Sequence, residues 1–560
     1  MKVFMSRFTQ RTQKRKVRLD GSDLMKEFEN KIEQLGLYVY DKVGKPVNVN
    51  VVRAMLESMG IRAIDVELDY GVANLQELAK MVYAQITNSD FLAIHPSTLK
   101  VNEQFKSEFT SASDYLRIKT KYFFYYYPLG LFHGLPVFIQ ILTIILFGYS
   151  LWTYVGFNQL QSTAVVLGVI FGLVGTGGFV QVIGRQISHY WYNNDFVMAK
   201  KSTVKVIKDG LFFMLVLSVL LLVVNFFANI YPYRFLYIVY VYSFSIGILL
   251  LISAVFHPLK QRWVITVVFV VATALAVSLK LFTTLSIYLT HWVGIWVAII
   301  LMLSYLNYFF KKKVKASKNV SWATSKRVVM IYRNYRYFFY GLLFFVFIFI
   351  DRVLAWSTSA DGLLPYAVYY EKNYEIGMDI AILIFFLLVG VLEFSIASFS
   401  TLSDLLQKQI PYNQPDLFNR KSLKTYWEHV QILLITGIVM VTLLYTVIWV
   451  WFGYEKAFDQ ALSAISIKVS VLGGLGYILL AWGMLNSLYL FTLNKPTKPL
   501  KAIMIACVVN LVVGLFMSRL ISYEYSVVGM LIGSATFMLL TLKSVTEFFK
   551  NLDYYYYAAY

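Results

Sequence analysis

From residue 128 onward the chain carries apolar runs of about twenty residues that recur almost without interruption, and none precedes residue 121. A bilayer core about 30 Å thick is crossed by a helix of roughly 20 mostly apolar residues. In hydrocarbon every backbone N–H and C=O must be satisfied within the structure, which leaves helices or closed barrels. Runs of this length read as helices. They fall at 128–152, 163–188, 205–229, 233–256, 263–280, 286–310, 337–356, 376–400, 429–452, 467–492, 499–518 and 526–546, twelve in all. With 58% hydrophobic and 15% charged residues, the composition is that of an integral membrane protein rather than a soluble one.

Orientation follows from Lys and Arg, which gather on the cytoplasmic side. With the N-terminus inside, the six outer connections and their edges hold seven basic residues and the inner set holds twenty-five. Both termini are therefore expected in the cytoplasm. "MKVFMSRFTQRTQKRKVRLDG" offers no apolar core for a signal peptide, in keeping with that orientation. The stretch "KKKVKASKNVSWATSKRVVMIYRNYR" (311–336) has nine Lys or Arg and no acid. It reads as an inner linker dividing two six-helix bundles, 121–310 and 337–547, with an aromatic cytoplasmic tail at 548–560. Each cation near an anionic leaflet contributes about 1 kcal/mol, and Lys311, Lys312 and Lys313 are the expected lipid contacts. Trp322, Tyr332 and Tyr335 are its only aromatic residues, too little for a nucleic-acid module.

Ahead of the spans, residues 1–18 form a basic arm with seven Lys or Arg and no acid, whereas 19–120 carry eleven basic and fifteen acidic residues. The second stretch reads as a small cytoplasmic α/β domain. Leu24, Phe28 and Ile32 are spaced for a helix over 22–35, and a second helix over 48–59 stops at Gly60. "IRAIDVEL" (61–68) alternates as a strand does, and Asn74 with Glu77 has capping-box spacing for a helix reaching Ile86. No catalytic constellation is present there.

One cysteine, Cys507, and six scattered histidines give no metal-ligand spacing and no redox motif, so no cofactor is expected. A polytopic glycosyltransferase would need clustered acids. The longest outer connection, 357–375, offers Asp361, Glu371 and Glu375 with no tight pair, so the chain does not read as an enzyme.

Polar residues within spans are costly and face a bundle interior or a cavity. His133 and Gln140 in the first run are seven residues apart and share a face, with Pro136 between them as the expected kink. Asp379 and Glu393 lie fourteen residues apart on the eighth run, nearly on one face and about 21 Å apart along the axis. They suit a proton or cation relay, or hydrogen bonds to sugar hydroxyls. Asp351 and Arg352 end the seventh run as an acid–base couple fit for an outer gate. Arg185, at the inner end of the second run, suits a lipid phosphate, an acid partner or a plain anchor. Gly168, Gly172, Gly175, Gly177 and Gly178 allow close helix contact. Aromatic residues make up 17% of the chain and gather where membrane interfaces are expected, and they also suit a path for sugar rings.

Two six-helix halves fit several transporter folds. The loop after the second run reads "GRQISHYWYNNDFVMAKK", without the Asp-Arg motif of major facilitators. "GTGGFVQVIGRQISHYWYNND" (175–195), "IDRVLAWST" (350–358), "VLEFSIASFSTLSDLL" (391–406) and "LDYYYYAAY" (552–560) resemble, in order and spacing, segments of PelG-type exopolysaccharide exporters. The likeness covers about 128–560, and no motif of that family falls in 1–120. It implies an all-α fold of the multidrug, oligosaccharide-lipid and polysaccharide (MOP) flippase type. It further implies polysaccharide export across a bacterial cytoplasmic membrane in company with synthase subunits. A lipid-linked oligosaccharide flippase, a cation-coupled drug exporter of the same fold, and a non-transporting synthase scaffold are the alternatives.

Overall fold

The computed structural model describes residues 21–61, 63–88, 112–132, 134–316, 327–358, 364–410, 414–451, 453–458 and 460–558. Among these residues eleven helices are long and apolar enough to cross a membrane, and a bent pair brings the crossings to as many as twelve. The chain is a multi-pass membrane protein. It divides into two compact units, one of Arg117–Ser398 and Glu428–Val545, the other of Met1–Leu116, Phe399–Trp427 and Thr546–Tyr560.

Among its described residues the second of these units has helices joined by short turns and no strand, so it is all-α rather than α/β. It contains α1 (Gly21–Val43), α2 (Val49–Ser58), α3 (Ala63–Tyr70) and α4 (Leu75–Thr87). Where alternation suggests a strand at 61–68, the chain forms α3, with Val66 fully buried and Ile61 and Tyr70 packed on the same core. The described residues offer no second strand to take its backbone donors and acceptors, and a lone strand leaves them unpaired. Gly71 ends α3 at φ +69°, its N–H donating to the Glu67 carbonyl at 3.2 Å. Asn74 caps α4 by accepting from the Glu77 N–H at 2.8 Å.

The aromatic C-terminal stretch also belongs to this unit, where Leu552–Ala558 is a helix against α2. Asp553 is buried and accepts from Asn48, which caps α2, and from Asn419 at 3.0 Å. Asp553→Ala would leave two amides without their acceptor. It is expected to cost about 1–3 kcal/mol locally, seen as faster hydrogen exchange over 552–558; unchanged exchange would remove Asp553 from the packing.

In the other unit the first crossing is α5 (Ala112–Leu131) followed by α6 (Leu135–Phe147), their axes 56° apart. Pro136 stands just past the bend, in the first turn of α6. It has no N–H to donate to the carbonyl four residues back, which fits the 56° break immediately ahead of α6. His133 lies outside the described residues. The first half continues with α7 (Gln159–Tyr192), α8 (Phe196–Ala228), α9 (Tyr233–Phe256), α10 (Arg262–Phe282) and α11 (Ile287–Ala316). The second half contains α12 (Arg327–Trp356), α13 (Lys372–Gln409), α14 (Pro415–Thr446, extended by a wide turn through Trp451), α15 (Tyr454–Phe458), α16 (Ala464–Thr492), α17 (Thr497–Leu520) and α18 (Ser526–Lys550). Helix α11 runs on through Lys311–Lys315 and α12 begins at Arg327, so the basic stretch is helical at both edges. Its residues 317–326 fall outside the described set, as does the basic arm.

Helix approach is set by small residues, as lipid offers no hydrophobic drive between spans. A Cβ added at Gly168 or Gly172 would come 2.8 and 2.9 Å from the carbonyls of Val239 and Ser243 on α9. One turn further along α7 the contact changes partner: at Gly177 the added atom would sit 2.9 Å from the Gly341 carbonyl of α12. The reciprocal seam joins α5 to α13, where a Cβ on Gly130 would lie 2.6 Å from the Gly390 Cα. The second helix of each half thus packs on the first helix of the other. Within the second half α13 meets α16, at Gly377 against Ser466, as α7 meets α9.

Candidate functional site

The densest buried charge in the described residues lies where α12 ends and α13 begins. Asp351 and Arg352 are both buried, although neither extreme apolarity nor a cap requires charge there. The Arg352 guanidinium donates to Glu375 and, at 3.3 Å, to Asp379, which lie four residues apart on α13 and so share a face. Asp351 turns to the adjacent face and accepts from the Tyr374 hydroxyl at 2.8 Å. One guanidinium therefore holds two carboxyl groups, and the third, Asp351, is held by a tyrosine hydroxyl.

Burying charge is stabilising only where pairing is thorough, and here it is not. Glu375 Oε2 and Arg352 Nε are buried with no hydrogen-bond partner. The Asp379 side chain is 65% exposed against 5% for Arg352 and 6% for Glu375, so it is the carboxylate that solvent or a solute reaches. With three carboxyl groups to one guanidinium, the cluster offers a place for a proton or a small cation at Asp379, within 3.3 Å of Arg352. Among the described residues no group of three or more His, Cys, Asp or Glu has an arrangement that would hold a metal ion.

Three further sets of polar contacts join the two halves. Glu393 on α13 accepts from Arg262 at the start of α10 at 2.9 Å, and the same guanidinium reaches the Leu129 carbonyl of α5 at 3.3 Å. Arg185, near the end of α7, stacks on Tyr337 of α12 at 4.0 Å and donates to Asn494 at 2.8 Å. These two ties lie toward the end of the helices where Lys311–Lys315 also stand. Toward the other end, the segment before α13 lies on the first half. There the Gln159 amide donates to the Tyr370 carbonyl at 2.8 Å, the Tyr370 N–H to Thr163 at 3.0 Å, and the Tyr231 hydroxyl to the Val368 carbonyl at 2.6 Å.

Asp379 and Glu393, read from spacing as a pair, thus have separate arginines on separate helices. Gln140 is buried and satisfied, donating to Thr273 at 2.9 Å and accepting from the Leu151 N–H at 2.8 Å, so it ties α6 to α10 and to the following turn. Lys313 lies over the rings of Trp191, Phe196 and Phe309, while Lys311 and Lys312 are exposed. Sequence reading missed Glu375, Tyr374 and Arg262. Each stands just outside a span drawn by hydropathy, at 376 and 263. The available signal was the four-residue step from Glu375 to Asp379, which places both on one side of any helix that starts a turn earlier.

No protein-family model matches this sequence, and no curated protein matches it. Solved structures do. A MOP superfamily transporter from Pyrococcus furiosus matches over 76% of this chain and 96% of its own, at 12% identity and a TM-score of 0.52. A MATE protein in the bent conformation matches over 78% and 97%, at 12% identity and 0.52. An inward-facing multidrug resistance MATE family transporter of the MOP superfamily matches over 75% and 99%, at 11% identity and 0.51. This chain has the fold of those transporters.

Proposed function

We propose that this chain exports a polysaccharide across a bacterial cytoplasmic membrane by alternate parting of its two six-helix halves, beside synthase subunits that supply the polymer. The observation that supports movement is the placing of polar ties between the halves toward both ends: Arg262–Glu393 and Arg185–Asn494 at one, Tyr370 and Val368 on the first half at the other. Hydrogen bonds and ion pairs that water can replace are contacts that break and re-form at modest net cost. A polysaccharide cargo is supported by the likeness of 175–195, 350–358, 391–406 and 552–560 to PelG-type exporters. A second reading, a cation-coupled exporter of small solutes, is favoured by Asp379, an open carboxylate in a cluster with surplus negative charge.

The test is polymer release from cells that make a polysaccharide and carry this chain as its sole exporter, with dye extrusion measured in parallel. Polymer outside the cell only when the chain is present supports export, and ion-dependent dye extrusion without polymer release supports the second reading. Glu393→Gln, which removes the charge facing Arg262, is expected to slow release about tenfold or more, the cost of roughly 1.5–3 kcal/mol for a hydrogen bond to a charged group. Release at the parental rate would take Glu393 out of the mechanism.

A further inference from the structure

The start of α8 forms a basic groove that the transport reading does not use. Lys200, Lys201, Lys205 and Lys208 line it with Val197, Val204, Asp209 and, from α11, Val314, around a space of about 680 Å³. None of the four lysines has an ion pair or hydrogen bond among the described residues. Like charges at Lys201 and Lys205, four apart, and at Lys205 and Lys208, three apart, oppose the helix that carries them. An anion seated among them turns that repulsion into attraction.

The same face of the helix identifies the anion's source. Val204, Lys208, Phe212, Leu215 and Val219 follow one another at steps of three and four residues, so they form one stripe, and all five are exposed. A cationic groove therefore runs directly into an uncovered apolar stripe long enough to lie in a bilayer. Free phosphate would use the lysines alone. We infer that the groove holds the phosphate headgroup of an acidic phospholipid, whose acyl chain lies along Phe212, Leu215 and Val219.

Native mass spectrometry of the full chain released from micelles containing phosphatidylglycerol and phosphatidylcholine measures this directly. Retained phosphatidylglycerol is expected to fall about tenfold or more when all four lysines become Gln, because each cation near an anionic headgroup contributes roughly fivefold. Should the fourfold variant not fold, Lys205→Gln and Lys208→Gln alone carry the test, each with an expected loss of about threefold to fivefold. Equal retention in parent and folded groove variants overturns the site. Displacement of phosphatidylglycerol by inorganic phosphate overturns the lipid and leaves an anion site without a chain.

Discussion

Arg352→Met is expected to abolish transport and to destabilise the folded chain by about 3–5 kcal/mol, the range for breaking a buried ion pair from one side. The cause is the charge left behind. Glu375 and Asp351 are buried, and without the guanidinium Glu375 keeps no cation within reach while Asp351 keeps only Tyr374. Adding Glu375→Gln to Arg352→Met should recover much of the stability, since a neutral amide costs less to bury than an unpaired carboxylate, and should not recover transport. Thermal unfolding of both variants in detergent, with polymer or dye export in cells, separates the two effects. A single variant that melts like the parent would mean that the cluster is wet enough to lose its cation freely.

Gly390→Ala is the sharper steric test. Its Cβ would lie 2.8 Å from the Tyr127 carbonyl and 2.7 Å from the Tyr127 ring, at the seam where Gly130 already approaches Gly390. A backbone carbonyl cannot turn aside as a side chain does, so the halves must separate there. A loss of at least about 2–3 kcal/mol is expected, read as a lower melting temperature and less monodisperse protein on size exclusion. Gly184→Ala on α7 is the control, because nothing lies within 4 Å of its added Cβ. It gains helix propensity of about 1 kcal/mol at no steric cost and should leave stability unchanged or raised. If both glycines tolerate Ala alike, the α5–α13 seam is looser than its geometry indicates.

Eleven of the twelve expected crossings were legible in the sequence, since apolar length and backbone satisfaction dictate them, and the twelfth is the bent pair α5–α6. Pro136 announced a bend in the first crossing, because it cannot donate to the carbonyl four residues back, and the helix does break just ahead of α6; the 56° angle was not legible. The strand reading of 61–68 failed because alternation over eight residues fits a short helix that buries Val66 as well as a strand, and pairing partners decide between them. At the candidate site Asp351, Arg352 and Asp379 stood out as charges inside apolar runs. Glu375 did not, because hydropathy starts the eighth span one residue too late, and Arg262 was lost at the fifth span in the same way. Partners across the halves were invisible to a single sequence: nothing in the order of residues links Glu393 to Arg262, or Arg185 to Tyr337 and Asn494.

The crossed seams also set a timetable for making the protein. Gly130 on α5 finds its partner only when Gly390 on α13 has been synthesised, and Gly177 waits for Gly341. At elongation rates of about 5–20 residues per second, those faces stand open in the bilayer for on the order of ten to fifty seconds. Neither half closes its own surface, so a chain halted between α11 and α12 would leave both glycine faces bare to lipid and to any other helix that drifts past.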